Sequence, residues 1–421
     1  MLSPPPLFKN KKEFFLVSLI LIAITAIRLF FYYLDYKELK NLDGFYYSEA
    51  QIIKEYETKN NSILLKLKDT DGLNFYLFTD VPFDRFSWVR VKIKLKDDTT
   101  FWDYLKGFFA KGEVLEQIEP GFDAKALLRE AIDKQHKNYQ DIKTFYHAIF
   151  LADPLDKKLR QKISSLGVSH LVALSGFHLG IIWLIVFGFF YIPYRYFQQK
   201  YYPWRHRNID LGLLTLLFLA IFVVFVGAPA SLVRSYVMLA LGWFVLTLGL
   251  ELISFEFLAF AVLLILAIAP KLIASLGFLL SVTGVFYIFL VIKWLRDYPS
   301  WFITLIAIPV GIFLLMFPIG HFFFPDTSIW QLCSPILSVI FIIFYPIVAI
   351  LHMFGLGWLF DKELLWLFSL PKNSVDIYMP TPLILGYVAL SILAIFSKRA
   401  FYLLLIVATL ITGWYMLLAI N

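Results

Sequence analysis

The sequence predicts a polytopic α-helical membrane protein with one small β domain outside the membrane. Its 421 residues are 60% hydrophobic and only 16% charged, and the mean hydropathy is +0.72. This composition is typical of chains that cross a bilayer several times. The pattern changes twice along the chain, since polar and apolar residues alternate over 37–120 and long apolar runs dominate over 167–421.

About ten hydrophobic segments are predicted, some of them re-entrant or interfacial. Residues 1–36 are interpreted as a basic cytoplasmic tail and a first transmembrane helix, because an apolar run of about 20 residues is longer than the core of a signal peptide. The predicted segments are 14–34, 168–197, 209–227, 230–250, 254–269, 272–294, 301–319, 329–353, 381–396 and 401–420. One segment is expected not to cross; the candidates are 254–269 and the further stretch 355–371, and the second is predicted to lie at the interface.

Residues 37–120 are predicted to form an OB-like β-barrel, because five short alternating runs surround one helical piece. The predicted strands are 45–56, 62–68, 73–79, 87–96 and 114–119, with a helix at 99–109. On the fourth strand Arg90, Lys92, Lys94 and Lys96 share one face. This row of cations is either a contact for a nucleic-acid backbone or a solvated outer face.

Residues 121–166 have a helical period and many charges, which predicts amphipathic helices at the outer membrane face. Residues 167–421 form the predicted membrane domain. Lys200, Arg205 and Arg207 follow one segment and Lys293 and Arg296 follow another. Because cytoplasmic loops are enriched in basic residues, these loops are predicted to be cytoplasmic and the β domain external.

Polar residues concentrate at Ser169–Gly180, where the long apolar half begins. His170, Ser175 and His178 lie close together there, and Gly176 weakens the helix between them. Such groups are costly in lipid, so this segment is expected to face a pathway, although interhelical hydrogen bonding is the alternative. Arg234 either lines the pathway, extends its flexible stem to the membrane interface, or pairs with a backbone carbonyl.

No catalytic or metal site is predicted. The single cysteine, Cys333, and the absence of His-x-His or His-Glu-x-x-His spacing argue against the common metal sites. Ser175 and His178 could form a hydrolase dyad, but the sequence offers no orienting acid. No phosphate-binding Gly-x-x-x-x-Gly-Lys motif occurs, so energy for transport is expected from another protein.

Four stretches together resemble the ComEC family of competence proteins. Residues 167–180, read Gly-Val-Ser-His-Leu-Val-Ala-Leu-Ser-Gly-Phe-His-Leu-Gly, are similar to the family signature. Residues 227–238 resemble its Gly, Pro, Ser, Arg and Met segment, and Leu-Gly-Phe-Leu-Leu-Ser at 276–281 resembles its Gly-Phe-Gln-Leu-Ser segment with Leu279 in place of Gln. Residues 101–112 resemble the helix of the family's external OB-like domain.

The resemblance implies an inner-membrane channel that moves single-stranded DNA into the cytoplasm during natural transformation. It implies contact with membrane lipid, a DNA receptor on the outer side, a cytoplasmic translocase or single-strand-binding proteins, and a possible oligomer, with no cofactor. The residues carried over as pathway-lining are His170, Ser175, Gly176, His178, Arg234, Gly277 and Ser281. The metallo-β-lactamase-like domain of many members is expected to be missing. A small-solute transporter and an intramembrane serine hydrolase are the alternatives.

Overall fold

A computed structural model describes residues 5–57, 62–70, 72–83, 86–118, 124–370 and 374–420. The ends of two predicted stretches, Glu119 and Pro371, lie outside these residues. The chain divides into two units. The barrel unit comprises Asn10–Ala126 and Val262–Leu276, and the helical unit comprises Met1–Lys9, Leu127–Ala261 and Gly277–Asn421.

The barrel unit begins with a long apolar helix, α1, and continues into five strands with one short helix. These elements are α1 Lys11–Lys40, β1 Tyr46–Glu57, β2 Ile63–Asp69, β3 Asn74–Thr79, β4 Trp88–Leu95, α2 Phe101–Lys106 and β5 Phe108–Ile118. The strands close in the order β1-β2-β3-β5-β4. β3 and β5 pair in parallel, whereas the other pairs are antiparallel. The predicted OB-like barrel is confirmed.

Alternation along the strands decides which side chains fill the barrel. Val89, Val91 and Ile93 on β4 are fully buried, while the cations between them point outward. β5 begins six residues before the predicted start at 114, because the alternation of Phe108 and Ala110 inward already belongs to it. Gly112 is needed in β5, since its φ is +156° and a Cβ there would lie 1.9 Å from the Lys92 carbonyl oxygen.

Helices account for most of the rest of the chain. They are α3 Ala124–Gln135, α4 Gln140–Leu151, α5 Lys157–Ser165, α6 Ser169–Val172, α7 Gly176–Tyr201, α8 Arg207–Phe225, α9 Ala230–Thr247, α10 Phe255–Ile268, α11 Leu276–Leu295, α12 Ser300–Phe302, α13 Ile308–Phe323, α14 Ser334–Met353, α15 Asp361–Ser369, α16 Thr381–Phe396 and α17 Lys398–Ile420. Short 3-10 helices occupy Pro270–Ala274, Ile329–Cys333 and Gly357–Phe360. Two two-residue strands, β6 Asp326–Thr327 and β7 Val375–Asp376, pair with each other.

Seven helices among the described residues are long and apolar enough to cross a membrane. They are Lys11–Lys40, Gly176–Tyr201, Arg207–Phe225, Leu276–Leu295, Ser300–Phe323, Ile329–Met353 and Lys398–Ile420. Three apolar helices are shorter, at Ser231–Thr247, Phe255–Ile268 and Thr381–Phe396. A helix as short as α10 spans about 21 Å, less than the roughly 30 Å hydrocarbon core. The protein is therefore a polytopic helical membrane protein in which some apolar segments are too short for a simple crossing.

Two elements differ from the simplest expectation. The segment predicted at 168–197 is not one helix, because the chain is extended at Ala173 and at Ser175 between α6 and α7. The helices expected at 121–166 do not all lie on a surface. Ile142, Tyr146 and Ile149 of α4 are fully buried in a hydrophobic core that also includes residues of α14 and α15.

Candidate functional site

The break between α6 and α7 is built by the polar residues of the motif. Ser175 is the residue before α7 and has an extended backbone, with φ −137° and ψ 179°. Its backbone N–H donates to Nδ1 of His178 at 3.3 Å, and its hydroxyl oxygen lies 3.3 Å from the same nitrogen. His178 thus satisfies a backbone donor that the start of a helix leaves free. The Ser175–His178 pair stabilises the interruption of the helix.

His178 is enclosed by aromatic rings. It has no exposed surface, and its ring lies 5.4 Å from that of Phe341 and 4.7 Å from that of Tyr345. Because Nδ1 accepts the backbone N–H, the ring proton is assigned to Nε2, which has no hydrogen-bond partner among the described residues. In this conformation His178 does not face open space, so a pathway role would require α7 and α14 to separate there.

This geometry does not support the serine hydrolase alternative. A nucleophilic serine needs a base nitrogen that is free to take its proton and an acid that orients the base. Here the backbone N–H of Ser175 already occupies Nδ1 of His178, and no carboxylate among the described residues contacts Nε2. The pair therefore acts as a helix cap.

His170 is arranged differently from His178. Its side chain is exposed, and its Nε2 lies 3.3 Å from the hydroxyl oxygen of Ser338 on α14. His170 therefore contacts α14 from an accessible position.

Gly167 holds the motif against α14. Its φ is +70°, and a Cβ at this position would lie 3.2 Å from atoms of Gln331 and Ser334. The Ser334 hydroxyl donates to the Gly167 carbonyl at 2.8 Å. A residue with a side chain would therefore strain the backbone and push α14 away. The turn requires glycine for both reasons.

The first turns of α9 pack against the break from another side. Ser231 donates from its hydroxyl to the Leu174 carbonyl at 3.0 Å. A Cβ on Gly176 would lie 3.2 Å from the side chain of Ser235, so Gly176 allows close approach of α7 and α9. Ser231 and Ser235 were missed in the sequence analysis, although their spacing of four residues places them on one helical face.

Arg234 projects from the same part of α9 and is only 4% exposed. Its Nη1 donates to the Gly277 carbonyl at 2.8 Å, which is the carbonyl pairing considered as one alternative. Its Nε has no hydrogen-bond partner, and no carboxylate among the described residues forms an ion pair with it. Gly277 is exposed at the start of α11, and Ser281 lies about one turn further along it, half-buried. Leu279 is 49% exposed.

Arg28 offers a contrast within the barrel unit. Its Nη1 donates to the carbonyls of Ala267 and Ile268 at 2.9 and 2.6 Å. These carbonyls end α10, where the helix dipole is negative. The guanidinium of Arg28 is therefore compensated by a helix terminus, whereas that of Arg234 has one carbonyl, the face of the Phe278 ring at 5.9 Å and an unpartnered Nε.

The basic row on β4 is not uniform. Arg90 bonds Glu49 and Glu116, and Lys92 forms an ion pair with Glu113. Neither Lys94 nor Lys96 has an ion pair among the described residues. Half of the predicted row is therefore locally neutralised, and the unpaired cations are confined to one end of the strand.

A buried His–Asp–His cluster was not predicted from the sequence, because His136 is more than 200 residues away from His352 and Asp361. His136 Nδ1 lies 2.8 and 3.1 Å from the two carboxyl oxygens of Asp361. Its Nε2 lies 2.9 Å from Nε2 of His352, whose Nδ1 donates to the Val348 carbonyl at 2.7 Å. Each of these three hydrogen bonds needs one proton. Two neutral imidazoles supply two protons and an ionised carboxylate supplies none, so the cluster must bind a third proton. Burial raises the pKa of Asp361, which favours retention of that proton.

Comparison with known proteins places the motif in a family. Residues 152–419 match the family described as competence protein, a range that covers more than half of the chain and includes the break, Arg234, His352 and Asp361. The comparisons with curated proteins and with solved structures each return no match. The signature at 167–180 is the stretch that resembles ComEC proteins. The chain belongs to the competence protein family and is of the ComEC type.

Proposed function

We propose that the protein is an inner-membrane channel that conducts single-stranded DNA into the cytoplasm. Family membership supports a role in DNA uptake during competence. The observation that supports the finer step is Arg234, a buried cation in the helical unit with an unpartnered Nε and no carboxylate partner among the described residues. Burying a charge without a counter-charge costs on the order of several kcal/mol. A phosphate passing along α9 would supply that counter-charge.

The surroundings of Arg234 suit a pathway that opens. The break before α7, the first turns of α9 and the start of α11 meet there through polar contacts and small residues. Interrupted helices are tolerated in membranes where they line protein or water. The non-helical backbone at this place offers peptide dipoles to a polar cargo. We interpret the enclosed position of His178 as the closed, resting state of the channel.

The proposed orientation follows from the basic loops. Lys200 lies in the last turn of α7, and Arg205 and Arg207 follow that helix. Lys293 lies in the last turn of α11, and Arg296 follows it. With these in the cytoplasm, the barrel and the break before α7 are external. A DNA receptor is the expected partner on that side, and a translocase or single-strand-binding proteins are expected in the cytoplasm to supply the pulling force.

A small-solute transporter remains the second function to compare. Such a transporter would hold its cargo in a compact site near the middle of the membrane. The polar groups of the break before α7 and Arg234 instead lie where α7 and α9 begin. DNA conduction accounts for the buried cation and for family membership, so it is preferred.

Deletion of the gene tests the proposed function directly. Fluorescent double-stranded DNA should still reach the cell surface in the deletion strain, while transformants disappear. DNA that remains accessible to added nuclease would place the defect at entry into the cytoplasm. Normal transformation of the deletion strain would refute the channel, and loss of uptake of a small solute with normal transformation would favour the transporter.

We also expect the purified chain not to cut DNA. Among the described residues no group of three or more His, Cys, Asp or Glu side chains is arranged to hold a metal ion, and the Ser175–His178 pair is a helix cap. Labelled single- and double-stranded DNA should stay intact with Mg²⁺, Mn²⁺ or Zn²⁺ and with chelator. Cleavage that copurifies with the chain and disappears on a point substitution would contradict the non-enzymatic proposal.

A further inference from the structure

The outer face of the barrel carries a row of aromatic rings that the basic strand does not explain. Tyr76 and Phe78 lie on β3 and Phe109 lies on β5. The rings of Tyr76 and Phe109 stack at 5.1 Å and 26°, and those of Phe78 and Phe109 at 6.3 Å and 19°. Phe78 and Phe109 are 47% and 46% exposed. We name these three residues the aromatic strip.

Strand pairing produces the strip. The parallel register places Phe75 beside Phe108 and Tyr76 beside Phe109. Because successive side chains point to opposite faces, the first pair packs inside the barrel and the second pair outside. The inner rings of Phe75 and Phe108 stack at 6.0 Å and are buried. The outer rings of Tyr76 and Phe109 are stacked in the same way, although they do not contribute to the barrel core.

Lysines surround the strip. Lys66 is the cross-strand neighbour of Tyr76, and its Nζ lies 5.9 Å from that ring. The Nζ of Lys96 lies 5.5 Å from the ring of Phe109. Lys94 and Lys111 face each other across β4 and β5. Like charges directly opposite one another destabilise a sheet, and neither has an ion pair among the described residues.

From these observations we infer that the aromatic strip binds single-stranded nucleic acid, with bases stacked on the rings and phosphates beside Lys94, Lys96 and Lys111. Stacking suits any base because every base has a π face, and lysines at the edge of the rings match the backbone charge. Positive charge around exposed rings selects a polyanion with flat apolar groups. The inference takes its ligand from the proposed function, but it does not depend on conduction.

The test is equilibrium binding of a fluorescently labelled oligothymidylate to the full chain in detergent micelles. Replacing Phe78 and Phe109 together by Leu keeps apolar area and removes the ring faces, so binding should weaken on the order of tenfold or more. Phe109→Tyr should bind as the parent does. Trp102→Ala is the matched control, because Trp102 is also 47% exposed and also has a lysine, Lys106, over its ring at 5.2 Å. It has no ring contact among the described residues.

A second pair of variants tests the cations without altering the rings. Lys94→Gln with Lys96→Gln should reduce the slope of log affinity against log salt by about 1.4, since each phosphate contact on a single strand contributes about 0.7. Arg90→Gln with Lys92→Gln removes the same formal charge from the neutralised end of β4 and should leave the slope unchanged. This pair keeps the proposal testable if the Leu variant fails to fold.

Several outcomes would overturn the assignment. Unchanged oligothymidylate binding in the Leu variant would exclude base stacking on the aromatic strip. If both double variants change the slope of log affinity against log salt equally, Lys94 and Lys96 have no specific role in binding at the aromatic strip. A failure of the proposed channel function can be told apart from a failure of this inference. A channel defect lowers transformation but leaves oligothymidylate binding normal, whereas a defect in the aromatic strip weakens the binding itself.

Discussion

Arg234→Ala should lower transformation on the order of a hundredfold while the protein remains at its normal level in the membrane. Arg234 is buried, donates to the Gly277 carbonyl and has an unpartnered Nε. If a passing phosphate completes its coordination, the loss of about 3 kcal/mol from that contact corresponds to about two decades in rate. The measurement is the transformant frequency per cell, with the protein quantified by immunoblot of isolated membranes.

Two further variants separate charge from helix packing. Arg234→Lys keeps the charge, and it should rescue partly if charge alone matters and poorly if the planar guanidinium must reach both the carbonyl and a phosphate. Lys293→Ala is the matched control, because Lys293 also donates to a backbone carbonyl, that of Ile395 at 2.9 Å, but at an exposed position. It should transform normally.

Combining His178→Ala with Arg234→Ala gives the decisive outcome for the pathway. Both residues lie where the break before α7 meets α9 and α11. Normal transformation by the double variant at parental abundance would remove them from the pathway and leave them as helix-packing groups. A strong loss of transformation together with normal oligothymidylate binding would locate the defect after capture of the strand.

Asp361→Ala should destabilise the purified protein by about 2 kcal/mol, because it leaves Nδ1 of the buried His136 without its hydrogen-bond partner. Asp361 is 5% exposed and His136 is 1% exposed. Glu130→Ala is the control, since the Glu130–Lys134 pair lies on α3, the helix that His136 follows, with side chains 61% and 68% exposed. An exposed pair of this kind contributes about 0–1 kcal/mol. The measurement is the midpoint of unfolding in detergent.

The pH dependence of stability distinguishes the shared proton from simple packing. Burial raises the pKa of Asp361 above its ordinary 3.8. The folded state therefore binds this proton more tightly, and the stability it contributes is present at low pH and lost as pH rises through the raised pKa. Asp361→Asn can donate to Nδ1 of a neutral His136, so it should be close to the parent in stability and should flatten this slope. An unchanged slope in Asp361→Asn would assign the pH dependence to other groups.

The two strongest features of the fold were predictable from local pattern. Period-two alternation identified the barrel, since neighbouring side chains in a strand point to opposite faces. Apolar length identified the membrane segments. The start of β5 was predicted too late because residues up to 109 were assigned to the preceding helix, whereas pairing with β3 and β4 extends the strand back to Phe108.

Residues of the candidate site were predictable as types but not as partners. The sequence by itself determined a polytopic membrane protein with an OB-like barrel. It also identified four polar groups whose placement in a membrane segment is energetically costly, namely His170, Ser175, His178 and Arg234. Tertiary structure decided that Ser175 and His178 cap a helix and that Arg234 bonds the Gly277 carbonyl.

Tertiary structure also decided which cations stay unpaired. The acids that neutralise Arg90 and Lys92 come from β1 and β5, whereas Lys94 is opposite Lys111. It likewise brings His136 to Asp361 across more than 200 residues of chain. The physical reason is the same in each case. Periodicity records how one segment divides its faces, whereas charge pairing and proton sharing depend on which distant segment packs against it.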